Sequence, residues 1–209
     1  YEDTLVIITA DHGEMLGDRY AWGKMSVYNA AYHTPLIIRA PQLQAQSGMQ
    51  VQLQTESVDI APTILDWIGS DIPNSMDGRS LMPLIKGEAP ENWRKFTFSE
   101  LNFGHPLFPT EWQKQLGLSV DECSLSILRD AQFTLVEVAG DLPSLLFEHA
   151  KKEEFENVAE QANYAPDLAH LTRQMLKFRM QNMDRSLALS ALTAQGPQTV
   201  FRHNITKRA

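Results

Sequence analysis

The sequence predicts an α/β segment followed by a small antiparallel sheet and a packed helix. Two features near the start predict the first part. Thr4-Leu-Val-Ile-Ile-Thr9 is a β-branched, nearly all-apolar run, the pattern of a strand buried on both faces of a parallel sheet, and Pro35-Leu-Ile-Ile-Arg39 reads as a second such strand. From Phe96 onward the pattern changes to short strand-like runs separated by turn residues, and then to one long amphipathic stretch.

A strand buried on both faces needs neighbours on both sides, yet Thr4–Thr9 arrives with no earlier element to pair with, so a preceding N-terminal portion is expected. Asp59–Ile68 (DIAPTILDWI) reads as a helix: Asp59 is placed to cap it, Pro62 falls in the first turn where no N–H is needed, and Gly69 closes the end. Phe96–Glu100, Leu125–Leu128, Phe133–Val138 and Ser144–Phe147 read as short strands, with Arg129–Gln132 and Ala139–Pro143 as turn-like links between the last three. Pro166 to Leu187 reads as a helix, because Leu168, Leu171, Met175, Phe178 and Met183 form one broad apolar stripe. Thr193 to Ala209 contains Gly196-Pro197 and no helical period, yet it holds Val200, Phe201 and Ile205. It is expected to be a tail or an arm onto another subunit. The expected organisation is therefore 1–92, 93–190 and 191–209.

Composition narrows the function. With 209 residues, 43% of them apolar, the chain can bury a core. A net charge of -8 without a basic stripe argues against nucleic acid and anionic membranes as partners. No apolar run is long enough to cross a bilayer. The single cysteine, Cys123, precludes an intrachain disulfide and fits a reducing, cytoplasmic setting, and Tyr1-Glu2-Asp3 has no signal-peptide character.

The chemistry-bearing signal is Thr9-Ala-Asp11-His12-Gly13-Glu14. Sites in open α/β sheets lie beyond the carboxyl ends of strands, and a carboxylate beside an imidazole there can ligate a divalent metal. Taken alone, the same residues also suit a capping turn.

The run continues as Glu14-Met-Leu-Gly17-Asp18, Trp22-Gly23-Lys24 and Thr34-Pro35-Leu-Ile-Ile-Arg39-Ala-Pro41. It goes on through Ser57-Val-Asp59-Ile-Ala-Pro62-Thr63-Ile-Leu65, Asp77-Gly78-Arg79-Ser80-Leu81, Gly87-Glu88, Trp93-Arg94 and Gly117–Leu125 (GLSVDECSL), and ends with Leu146-Phe147-Glu148 and Glu154-Phe-Glu156-Asn157. In this order the segments resemble the sulfatase branch of the alkaline phosphatase superfamily, and within it phosphonate monoester hydrolases and related arylsulfatases. The resemblance implies the C-terminal part of that superfamily's mixed sheet flanked by helices, followed by the small antiparallel subdomain.

It also implies a set of roles. Asp11 and His12 match the last pair of metal ligands, and Lys24 matches the catalytic lysine that contacts the anionic head of the substrate. His105, in Asn102-Phe-Gly-His105-Pro, is a candidate substrate-binding residue at the entrance. The implied cofactors are a divalent metal and a formylglycine nucleophile. Manganese is the expected metal, with zinc, iron or calcium as alternatives, because an imidazole where calcium-binding relatives have an amide favours a transition metal. The formylglycine would come from the missing N-terminal part, since Leu125 and Ile127 stand where a C-x-[PA]-x-R motif at Cys123 would need proline or alanine and arginine. Cys123 reads instead as a small buried thiol.

The implied reaction is hydrolysis of phosphonate or phosphate monoesters or diesters, with a small anionic ester as substrate and the N-terminal part of the same enzyme and further copies of the chain as partners. Sulfate-ester hydrolysis is the alternative, and a purely structural, inactive isolated chain is a second. His149, His170 and His203 read as structural or solvated, His33 stands where the family often has arginine, and Lys151-Lys-Glu-Glu154 reads as a solvated turn.

Overall fold

A computed structural model describes residues 2–41, 43, 47–150, 154–182 and 190–199. The described elements are β1 (Val6–Thr9), α1 (Asn29–Tyr32), β2 (Leu36–Arg39), α2 (Ile60–Trp67), α3 (Met82–Ile85), β3 (Thr97–Asn102), α4 (Glu111–Leu116), β4 (Ser124–Arg129), β5 (Phe133–Val138), β6 (Leu145–Glu148), α5 (Ala165–Asn182), β7 (Ser190–Thr193) and β8 (Gly196–Thr199). Two packing units emerge, one of residues 1–7, 38–93 and 176–209 and one of residues 8–37 and 94–175.

The expected α/β opening is present: β1 and β2 form a two-stranded sheet. Their burial is less than the apolar runs suggest, since Ile8 and Ile37 are both more than half exposed (56% and 59%). Two strands alone leave each other's outer edges and faces uncovered.

In the first unit, α2 forms where expected, and Gly69 ends it in the left-handed region (φ 70°) while Ser70 N–H donates to Leu65 O. Asp59 does not cap α2 as anticipated. Its fully buried carboxylate instead accepts from Glu56 N and Arg79 N at 2.9 and 2.8 Å, so a residue in a helical turn serves two loops at once. Thr63 Oγ1 donates to Asp59 O and accepts from Leu81 N, which locks the Asp59–Leu65 and Asp77–Leu81 segments together. Both segments are therefore built for packing.

In the second unit, β3-β4-β5-β6 form an antiparallel meander, as the sequence led us to expect. Asp130 Oδ1 accepts from Gln132 N and Phe133 N and shapes the β4–β5 turn. Both faces of the meander are covered. Leu128, Phe133, Leu135 and Leu146 pack with Val158, Tyr164, Leu171 and Met175 on one side, where Leu171 and Met175 come from α5. Leu125, Ile127, Val136 and Phe147 pack with Phe103 and Cys123 on the other, where Tyr28 and Tyr32 also dock. That second face fixes α1.

The expected stripe of α5 is confirmed at Leu168, Leu171 and Met175, and Met183 lies outside the described residues. Residues 190–199, expected to lie almost wholly in the tail or arm, form the β7–β8 hairpin with Thr193 opposite Gly196. Gly196 supplies a turn φ of 98°. Val200, Phe201 and Ile205 lie outside the described residues.

Candidate metal centre

β1 ends at Thr9, and the chain then turns through Asp11, His12 and Gly13. His12 N–H donates to Asp11 Oδ1 at 3.1 Å, and His12 Nε2 lies 3.4 Å from Asp11 Oδ2. His12 Nδ1 is 2.7 Å from Gly13 O. A carbonyl can only accept, so Nδ1 carries a proton, and in the neutral ring Nε2 is the nitrogen that offers a lone pair. Two ligands about 2.1 Å from a shared tetrahedral metal are separated by about 3.4 Å. The donor atoms and their spacing therefore fit one edge of a divalent-metal site, with the carbonyl orienting the imidazole. Among the described residues no third His, Cys, Asp or Glu joins this pair in a group that could hold a metal ion, so Asp11 and His12 stand as two candidate ligands.

The turn is held from behind. Gly13 N–H donates to Ala31 O at 2.8 Å, and a Cβ at Gly13 would fall 2.0 Å from Ala30 O. Only glycine allows this approach to α1. Glu14 accepts from Gly23 N, while Met15 N–H donates to Gly23 O at 3.0 Å. This two-bond clamp ties the stretch after His12 to the residue preceding Lys24, whose own side chain is exposed. The loop between the clamped ends is strained, for Leu16, Arg19 and Tyr20 all have positive φ (50°, 56° and 59°). The Arg19 guanidinium lies 4.4 Å from the ring centre of Tyr28 and 3.7 Å from that of Phe155, two cation–π contacts that offset part of that strain.

A buried polar network lies behind α1, and the sequence did not disclose it. Glu154, expected in a solvated turn, is only 6% exposed. Its carboxylate accepts from Asn29 N at 2.8 Å through Oε2 and pairs with Arg129 Nη1 at 3.3 Å through Oε1. Thr134 Oγ1 is 2.8 Å from Arg129 Nη1 and 2.9 Å from His149 Nε2. A buried carboxylate is tolerable only with such partners. Burial, and next the charge of Arg129, hold the His149 imidazole below its usual pKa. Burial and then the Glu154 charge push the Tyr32 phenol up to about 12. Its buried hydroxyl lies near Thr134 and Arg129 without a well-formed hydrogen bond, and Asn29 Oδ1 is likewise buried without a donor. A cavity of about 510 Å³ adjoins this network, lined among others by Met15, Arg19, Asn29, Arg129, His149 and Glu154.

Residues 17–181 match the family described as N-sulphoglucosamine sulphohydrolase, C-terminal. The chain belongs to this sulfatase family. It is similar to a phosphonate monoester hydrolase from Silicibacter pomeroyi, at 55% identity and a TM-score of 0.82, over 98% of this chain and 40% of that one. The phosphonate monoester hydrolase of Agrobacterium radiobacter gives 38% identity and a TM-score of 0.82, over 96% of this chain and 40% of that one. The multifunctional alkaline phosphatase superfamily protein PehA of Trinickia caryophylli is 34% identical over 200 residues, 95% of this chain and 38% of that protein. Bos taurus arylsulfatase K is 34% identical over 161 residues, 76% of this chain and 28% of that protein. The chain thus spans about two-fifths of the phosphonate monoester hydrolases and of PehA.

His105 is exposed, and its Nδ1 accepts from Leu107 N and Phe108 N at 3.2 and 2.9 Å, so one ring nitrogen is occupied in shaping its own loop. Cys123 is fully buried, donates to Ser119 O at 3.1 Å, and burial raises its thiol pKa, which accords with the packing role expected for it. His33 and His170 contact Asn29 and Gln174 on their own helical turns, and His203 lies outside the described residues. No described helix is long and apolar enough to cross a membrane.

Proposed function

We propose that this chain is the C-terminal part of a divalent-metal-dependent hydrolase of phosphonate or phosphate monoesters or diesters. The observation that carries the reading is the Asp11–His12 pair. Its oxygen and nitrogen are 3.4 Å apart, and His12 Nδ1 is committed to Gly13 O. Asp11 and His12 hold one side of the metal, and carboxylates from the N-terminal portion complete the set. When bound, the metal supplies Lewis-acid stabilisation of the charge that builds on the ester's oxygens. Lys24 binds the anionic head group as a point charge and adds to that stabilisation. His105 lines the entrance. The nucleophile, a formylglycine, comes from the N-terminal portion, and exposed Ile8 and Ile37 are apolar positions that further strands of that portion cover. The imidazole ligand favours manganese, zinc or iron over calcium.

Arylsulfatase activity is the second reading, and the similarity to arylsulfatase K supports it. Aryl phosphonate and aryl sulfate turnover by the complete enzyme, with and without Asp11→Ala, His12→Ala and Lys24→Ala, tests both. Losses in kcat of about 10²–10³ are expected for each variant. Wild-type rates in the Asp11 and His12 variants would overturn the metal assignment. The substrate with the higher kcat/KM in the parent decides between the readings. Assembly into a homo-oligomer through residues 193–209 is part of the proposal, and truncation of those residues followed by light scattering tests it.

A further inference from the structure

We infer that Glu154 is a positioning residue for the metal half-site, acting through α1 on the Asp11–His12 turn. The inference rests on the proposed metal role of that pair. The link is a short series of contacts. Glu154 Oε2 holds the first N–H of α1, at Asn29, and two residues later the Ala31 carbonyl holds Gly13 N–H, both at 2.8 Å. Gly13 O in turn orients the His12 ring. The next residue along, Phe155, stacks on Arg19 in the strained loop between the metal pair and Lys24. Residues 154 and 155 therefore hold the site's loop at two places, near Gly13 through α1 and at Arg19, from a segment about 140 positions away in the chain.

The carboxylate is held rigidly. Glu154 is 6% exposed and pairs with Arg129, which Thr134 also contacts, and both Arg129 and Thr134 belong to the meander. The meander thus backs the turn through Glu154 and α1. A buried charge at this place is costly unless its geometry is used, and its bond to Asn29 N adds a directional hold on α1 to the packing of Tyr28 and Tyr32. Ligand-orienting groups outside the first coordination shell commonly govern affinity by 10–100-fold.

Two substitutions separate the link from general stability. Glu154→Gln is isosteric but offers one amide oxygen to two opposed donors, Asn29 N and Arg129. Asn29→Pro removes the backbone donor end of the link, together with the exposed amide contact to His33 and the buried, donorless Oδ1. The position accepts proline, because it is the first residue of α1 and Tyr28 before it is extended (φ −84°, ψ 150°). Leu171→Ala, which opens the far face of the sheet, is the control for destabilisation alone.

Amide hydrogen exchange over residues 11–15 in the metal-free complete enzyme is the primary readout, and manganese affinity by calorimetry is the second. Glu154→Gln and Asn29→Pro are expected to speed exchange at residues 11–15 about tenfold and to weaken manganese about tenfold, while Leu171→Ala lowers the melting temperature and changes neither. Unchanged exchange and affinity in the two variants, or the same changes in Leu171→Ala, would overturn the positioning role. If Glu154→Gln does not fold, Asn29→Pro decides alone. Asp11→Ala separates the underlying reading: manganese binding that survives it refutes the metal assignment, while the exchange result still reports on the link.

Discussion

Replacing Gly13 by alanine should damage the proposed metal half-site more than any substitution of comparable size on the loop. The added Cβ would lie 2.0 Å from Ala30 O and 3.0 Å from both Ala30 C and Ala31 C. All three are backbone atoms, so no side chain can rotate away. Relief requires the turn and α1 to part by about 1 Å or more, since carbon contacts are favourable near 3.5–4.0 Å. Overpacking of this kind costs about 1–3 kcal/mol. The parting also stretches the 2.8 Å bond from Gly13 N–H to Ala31 O, at about 1 kcal/mol net. The sum is roughly 2–4 kcal/mol. Urea unfolding of the complete enzyme measures it. The same displacement moves His12, so manganese affinity should fall about 10–100-fold. A Gly13→Ala enzyme within about 0.5 kcal/mol of the parent, with unaltered manganese affinity, would refute the argument that this close approach sets the ligand geometry.

Three further outcomes are expected. Because burial and Arg129 hold His149 below the usual 6.5, the unfolded chain takes up the proton first as pH falls; His149's contribution is complete above about pH 6.5 and is lost as pH drops through its folded value, so His149→Gln should flatten the acid limb of stability against pH. Tyr32 is held up at about 12, so its contribution is complete below about pH 10 and is lost as pH rises through 12; of the five tyrosines, one should ionise late in an ultraviolet titration, and Tyr32→Phe should abolish that late step. Finally, the isolated 209-residue chain should show no enzymatic turnover of phosphonate, phosphate or sulfate esters, and turnover that Asp11→Ala abolishes would contradict the two-part site.

Sequence by itself determined the elements whose signals are local. The runs at Thr4–Thr9 and Pro35–Arg39 announced β1 and β2, the β4–β5 turn was written in Arg129–Gln132, and Leu168, Leu171 and Met175 marked the buried face of α5, because strand and helix periods are set by backbone geometry within a few residues. The family's motifs, read in order, pointed to Asp11, His12 and Lys24 as candidates for the chemistry. Tertiary structure alone decided what holds them. Asp59 looked like a helix cap and became a two-loop anchor, since its partners, Glu56 N and Arg79 N, include one 20 residues away. Glu154 looked like part of a charged surface turn and is a buried carboxylate, because Arg129 and Asn29 N, 25 and 125 residues distant, are brought to it by the meander and by α1. Charge and neighbours in sequence specify whether a carboxylate can be solvated; whether it is buried depends on partners that only the folded chain assembles.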